Sequence, residues 1–236
     1  MQQLMSYMRS AIENYNMIED GDKISVGVSG GKDSLALLVG LAELRRFYPK
    51  HFELIAITLD PCFDGVEEDY SQISELCKRL NIPYIIKRTE LAKIIFETRK
   101  EKNPCSLCAR MRRGSLHDIS KENGCNKIAL GHHMDDAAET FMMNLLNLGQ
   151  IGCFSPVSYL SRKDLYMIRP LIFATEKDVQ KAVNRNHLPI VTSRCPADKN
   201  TEREKVKNLL NKLEKDYPNL RKKIVGSMQR SEIDNW

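Results

Sequence analysis

From residue 23 to 28 the chain reads KISVGV, a short β-type run. The Gly-rich hexapeptide SGGKDS follows, and then LALLVGLAELRRF, whose apolar spacing suits a helix packed on a sheet. This predicts a strand, a turn the size of a phosphate, and a helix. A second buried strand is expected at 53–59 (ELIAITL), followed by a helix over 66–80 that ends near Asn81 and Pro83. Residues 84–87 form a third expected strand. A basic helix then runs to about Lys121, with Gly124 as its stop, before a fourth strand at 127–130. A helix over 137–148, a strand at 166–168 ending at Arg169-Pro170, and a helix over 176–186 complete the alternation. After Cys195 the polar TEREKVKNLLNKLEKDY and the segment beyond Pro218 read as two more helices.

Strands alternating with helices at this spacing imply βαβ units and an α/β fold, a doubly wound parallel sheet with a small C-terminal helical extension. The expected division is an N-terminal helix in 1–22, the main domain in 23–190, and a helical extension in 191–236 that carries Cys195. Ligands of such sheets bind beyond the carboxyl ends of the strands. Ser29-Gly30-Gly31 and Gly131-His132 both fall at such ends, so two segments about a hundred residues apart can face one pocket.

Composition narrows the class. The 236 residues are 42% hydrophobic and 28% charged, enough for one sizeable core. No run approaches the roughly 18 to 20 apolar residues of a membrane span, and MQQLMSYMRS is too polar for a signal peptide. The expectation is a soluble, cytoplasmic protein with no membrane partner. The net charge of +5 is polarised: residues 1–86 carry −5, 87–113 carry +6, 114–198 balance, and 199–236 carry +4. Two basic segments on an otherwise acidic or neutral chain suggest a polyanionic partner, although solvated helix faces also account for such runs.

Seven cysteines without regular spacing do not make a secreted disulfide scaffold. Cys62, Cys77, Cys125 and Cys153 have no partner spacing. Cys105 and Cys108, in Pro-Cys-Ser-Leu-Cys, form a C-x-x-C inside the +6 segment, which admits zinc, redox exchange or an iron-sulfur site. SGGKDS, where a strand becomes a helix, is a phosphate cradle, but it fits neither the Walker spacing nor the dinucleotide fingerprint. Asp135 and Asp136, at a helix start, are candidate Mg²⁺ ligands or simple helix caps. His132 and His133 are adjacent and lack the spacing of a helical zinc site.

SGGKDS resembles the PP-loop of the N-type ATP pyrophosphatases, which cleave ATP between its α and β phosphates and adenylate a carbonyl oxygen. PCSLCARMRRGSL (104–116), KIALGHHMDDAAETFMMNLLNLG (127–149), IRPLIFATEKDV (168–179) and the final YPNLRKKIVGSMQ, in this order, resemble the tRNA 2-thiocytidine synthetase (TtcA) family. The resemblance covers roughly residues 20 to 230. It implies a Rossmann-like adenine nucleotide alpha hydrolase fold and an ATP-dependent sulfurtransferase acting on C2 of an anticodon-loop cytidine at tRNA position 32.

By this resemblance Ser29, Gly30, Gly31, Lys32, Asp33 and Ser34 hold the phosphates of ATP, with Lys32 and Asp33 serving catalysis. The backbone around Thr58, Leu59 and Asp60 flanks the adenine, and Gly131, His132 and Asp136 contact the nucleotide with Mg²⁺. Cys105, Cys108 and Cys195 hold a 4Fe-4S cluster with one iron open to sulfide, and a persulfide exchanged among the same thiols is the rival. The chain has T-S-R-C-P where longer members show P-C-x-x-C, a departure at Cys195 itself. The implied partners are tRNA, a sulfur donor such as a cysteine desulfurase, and a second copy in a homodimer. RNA would be held by Lys100, Lys102, Arg110, Arg112, Arg113 and the C-terminal lysines. The alternatives are another adenylating PP-loop enzyme, of lysidine type or thiolating a different base, and a non-catalytic Fe-S regulator.

Overall fold

The alternating hydrophobic runs fold into one six-stranded sheet with helices on both faces. The structure, a computed structural model, describes residues 1–98, 104–192, 194–195 and 202–236, and for 64, 96–98, 104 and 105 the backbone alone. Strands β1 (Asp22–Gly27), β2 (Phe52–Asp60), β3 (Tyr84–Arg88), β4 (Lys127–Ala129), β5 (Val157–Leu160) and β6 (Leu165–Ile168) lie in the order β3-β2-β1-β4-β6-β5. The first five in that order run parallel, and β5 pairs antiparallel with β6. The reversal between β2 on one side of β1 and β4 on the other creates the crevice where such sheets take ligands.

The helices are α1 (Gln2–Asn14), α2 (Lys32–Leu44), α3 (Ser71–Arg79), α4 (Pro104–Glu122), α5 (Met134–Met143), α6 (Glu176–Arg185), α7 (Glu202–Asp216) and α8 (Leu220–Arg230). The strands' two-residue period divides the core. Ile24 and Val26 of β1, with Leu54 and Ala56 of β2, face the large core built with α1, α2 and α6. Ile57 and Leu59 face a smaller one with Leu116 and Ile119 of α4. Helix α2 is buried almost all round, from Leu35 to Leu44, as expected of a helix between a sheet and further helices. On the opposite face β1 presents small residues: Ser25 Oγ lies 2.7 Å from Ser120 Oγ, and Leu116 packs on Gly27, so α4 approaches closely.

Val206, Leu210, Val225 and Met228 of α7 and α8, with Trp236, join the large core, each such side chain contributing about 1.5–3 kcal/mol by burial. Among the described residues no helix is long and apolar enough to cross a membrane.

Three elements differ from the sequence expectation. Strand β5 is new: its four residues precede a tight connection to β6, and their half-exposed edge position leaves no continuous apolar run. The helix expected from residue 66 starts at Ser71, because Asp60 Oδ1 and Oδ2 accept from the amides of Cys62 and Glu68 and wind the intervening chain into a loop. The helix expected over 137–148 starts at Met134 and ends its α-helical part at Met143, followed by a π-helical turn from Asn144 to Leu148.

Candidate functional site

The link from β1 to α2 wraps around its own hydroxyls. Gly30 takes φ of +86°, and a Cβ there would stand 3.0 Å from the Cβ of Val191, so only glycine fits without displacement. Val191 N donates to Gly30 O (3.0 Å), fastening the segment before Cys195 to the loop. Ser34 Oγ accepts from Ser29 N (3.1 Å) and donates to Gly31 O (2.9 Å), while Ser29 Oγ accepts from Gly31 N (3.3 Å). Both hydroxyls therefore shape the loop. Gly31 caps α2 without a side-chain acceptor, which leaves the positive end of the helix open to an anion.

Gly131 closes on this loop from the end of β4. A Cβ on it would lie 3.0 Å from Asp33 C and O and 3.1 Å from Ser34 N, backbone atoms that cannot yield. Two segments about a hundred residues apart thus meet at one point, as their strand-end positions led us to expect. His132 lies against Phe154 (ring centroids 5.0 Å apart), whose other neighbours are the Arg169 guanidinium (4.8 Å) and Trp236 (6.4 Å). Burial pushes the His132 pKa down to about 4, with Asp136 opposing and Arg169 and Arg203 reinforcing, so its ring is neutral near pH 7. Its Nδ1 is buried and has no hydrogen-bond partner among the described residues.

His133 caps α5. Its Nδ1 accepts from Asp136 N (3.4 Å), and its own amide donates to Asp136 Oδ2 (3.0 Å). Asp136 Oδ1 pairs with Arg203 (2.9 Å). Asp135 Oδ2 accepts from Glu176 N (2.7 Å), and its Oδ1 faces Arg221 Nε at 3.3 Å. Both candidate Mg²⁺ carboxylates thus hold α5, α6, α7 and α8 together. Asp33 Oδ1 is different: it is buried and lacks a hydrogen-bond partner, with His133 Nε2 at 3.6 Å. Among the described residues no three His, Cys, Asp or Glu side chains cluster as a metal cage. One unengaged carboxylate oxygen beside a phosphate loop suits Mg²⁺, which is bound by few carboxylates plus substrate phosphates.

Lys32 is held from two sides, by Asp33 Oδ2 (3.0 Å) and by Glu176 Oε1 (3.2 Å), and Glu176 also pairs with Lys207 (2.9 Å). Burial favours the neutral Glu176, but Lys207 and Lys32 outweigh it and hold its pKa at about 2. Sequence reading missed Glu176, although it lies in IRPLIFATEKDV, because its partners are remote along the chain. Glu176→Gln should lower kcat/KM for ATP about 10- to 150-fold, the range of one charge-assisted hydrogen bond, with kcat falling as well and recovery in Glu176→Asp. Steady-state kinetics of pyrophosphate release would read it.

Glu139 also went unnoticed. It is 3% exposed in α5, where burial and Asp136 push its pKa up to about 7 against Arg203, Lys207 and Arg221. The folded protein therefore keeps a proton that the unfolded chain releases near the usual 4.5. The stability this provides is complete below about pH 4.5 and is lost as pH rises through about 7. Glu139→Gln should flatten the fall in Tm across that window, measured by thermal melts at stepped pH.

Beside Ser29 a cleft of about 140 Å³ opens between Ile57, Leu59 and Leu130 on the sheet and Arg112, Arg113 and Leu116 on α4. Thr58 and Asp60 stand at the same strand end with engaged side chains: Thr58 Oγ1 donates to Val28 O (2.7 Å), and Asp60 organises the loop described above. Leu59 between them lines the cleft.

Cys105 and Cys108 are one turn apart at the start of α4, and Cys108 lies one turn, about 6 Å of rise, before Arg112. The side chain of Cys105 is outside the described residues, as are Lys100 and Lys102. Cys195 is half-buried; its neighbour Arg194 pairs with Glu68 (2.5 Å), and Val191 binds Gly30, so this segment lies over the same strand ends. Cys77 and Cys153 suit structural thiols: burial pushes Cys77 up to about 11 and Cys153 up to about 12.

Comparison with known proteins gives the same site a family. A PP-loop domain family matches residues 3–214. A tRNA-cytidine(32) 2-sulfurtransferase from Syntrophotalea carbinolica is 38% identical over 92% of this chain and 85% of its own length. One from Acinetobacter baumannii is 38% identical over 93% of this chain and 73% of its own. Among solved structures, the U34-tRNA thiolase NcsA from Methanococcus maripaludis, with its [4Fe-4S] cluster, superposes with a TM-score of 0.76 at 27% identity, covering 95% of this chain and 77% of NcsA. The chain therefore belongs to the PP-loop domain family and, within it, to the tRNA-cytidine(32) 2-sulfurtransferases.

Proposed function

We propose that the chain is an ATP-dependent tRNA sulfurtransferase that replaces the C2 oxygen of cytidine 32 by sulfur and releases AMP and pyrophosphate. The observation that carries this reading is the meeting, at one rim of the sheet, of the SGGKDS loop, Gly131-His132, Arg112 and Arg113 of α4 and the segment leading to Cys195. Membership among the cytidine(32) sulfurtransferases supports the base and position.

The C2 carbonyl of cytidine is a poor site for substitution until its oxygen becomes a leaving group. The loop amides and the α2 N-terminus bind the phosphates, and Lys32, fixed by Asp33 and Glu176, meets the charge that grows on departing pyrophosphate. Asp33 Oδ1 is the oxygen that suits Mg²⁺ there. The C2 oxygen attacks the α-phosphorus, the bond to the β-phosphate oxygen breaks, and pyrophosphate leaves. Sulfide, as HS−, then adds at C2, and AMP departs with the original oxygen as the sulfur loses its proton. Neutral His132 keeps added positive charge away from the nucleotide, and Arg112 and Arg113 border the cleft that opens at Ser29.

Cys105, Cys108 and Cys195 suit a 4Fe-4S cluster, since three thiolates are the soft ligands iron takes and leave one iron for sulfide. When bound, that group supplies the sulfur. The presence of a [4Fe-4S] cluster in the thiolase NcsA supports the cluster over a bare persulfide. A cytoplasmic setting, a cysteine desulfurase as donor and a homodimer complete the proposal.

Purified anaerobically, the protein should form AMP with a tRNA bearing cytidine 32 and not with the same tRNA bearing uridine there. AMP formation indifferent to that base would overturn the reading.

A further inference from the structure

Behind the phosphate loop, α1, α6, α7 and α8 enclose an open cleft of about 1260 Å³. Asp135 and Glu176 are among its lining residues, and Glu176 Oε1 lies 3.2 Å from Lys32 Nζ.

The charges lining this cleft are unequal in their commitments. Each carboxylate is engaged inside the protein. Asp135 holds Glu176 N and Arg221, and Glu176 lies between Lys32 and Lys207. Asp178 caps α6 through Thr175, and Glu214 accepts from Leu220 N (2.9 Å) and pairs with Arg221. Apart from Arg221, the cations are not so engaged: Lys177, Lys215, Lys222, Lys223 and Arg230 are exposed, and none pairs with a carboxylate among the described residues. From Lys222 to Arg230 the row extends about 12 Å along α8, longer than one phosphate group. Engaged carboxylates and uncommitted cations leave the cleft with a positive field for a polyanion. Its aromatic residues, Tyr7 and Phe173, are half-buried, so it offers no stacking platform and suits contact with backbone phosphates.

We infer that this α6–α8 cleft is the surface that grips the sugar-phosphate backbone of the tRNA while the anticodon-loop base enters the site beyond Glu176. The inference rests on the function proposed above and adds the RNA's location. It gives the +4 tail a job distinct from that of the +6 segment: the tail binds RNA backbone, and α4 borders the reacting groups.

The test uses the full chain with Lys215, Lys222 and Lys223 all changed to Gln. These exposed side chains make no ion pair in the fold, so a thermal melt should match wild type. Lys78→Gln with Arg79→Gln, at exposed positions of α3, is the control. Filter binding of tRNA across a salt series should show about a 10- to 100-fold weaker Kd for the triple variant. The slope of log K against log salt should be shallower by about 2 to 3, with the control unchanged. ATP binding should be unaffected, since none of the three touches the loop. If the triple variant binds tRNA like wild type while wild type still thiolates it, the cleft is not the RNA surface and the proposed function survives. If wild type binds no tRNA, both fall.

Discussion

Serine in place of Cys195 should abolish 2-thiocytidine formation, by at least about 100-fold, while ATP affinity stays within about twofold of wild type. The separation follows from how the segment is attached. Its contact with the phosphate loop runs through the Val191 amide on Gly30 O, and its contact with the loop after β2 runs through Arg194 and Glu68. Neither uses the Cys195 thiol, so both contacts persist in the serine variant. The same substitution distinguishes the two sulfur chemistries. With three cysteine ligands, Cys195→Ser and Cys108→Ser should both purify with little iron. With a persulfide relay, wild type and variants alike would be iron-free and wild type fully active.

The second large effect is expected at Gly131. Valine there should lower tRNA-dependent AMP formation by about 100-fold or more, because its Cβ would stand 3.0 Å from Asp33 C and O. Relief requires the loop carrying Lys32 and Asp33 to move, and misplacement of about 1 Å is enough for a loss of that size. Circular dichroism should remain native, since the clash is confined to the rim. A valine variant with normal kcat and KM would mean that Gly131 does not abut the working loop.

These two positions also show what a single sequence can reveal. SGGKDS and Gly131-His132 were legible because each follows a strand whose β-type run is local, and strand ends define where a doubly wound sheet binds ligands. The alternation that set Ile24 and Val26 on one face and Gly27 on the other was equally local. What could not be read is pairing between remote polar residues. Lys32, Glu176 and Lys207 meet across the phosphate loop, α6 and α7, and none is unusual in its own window. Asp135 and Asp136 were recognised as acidic ligands or caps, yet their ties to Arg221 and Arg203 depend on how α7 and α8 pack on α5. Strand β5 escaped because its partner, β6, supplies the hydrogen bonds that four half-exposed residues do not advertise.

The central claim is that one rim of the sheet couples ATP cleavage to the replacement of oxygen by sulfur on a tRNA base. Nucleoside mass spectrometry of tRNA from cells lacking the gene, complemented with wild type or Cys195→Ser, tests it most directly. The account predicts 2-thiocytidine with wild type and none with Cys195→Ser or without the gene. Undiminished 2-thiocytidine in the cells lacking the gene would contradict it.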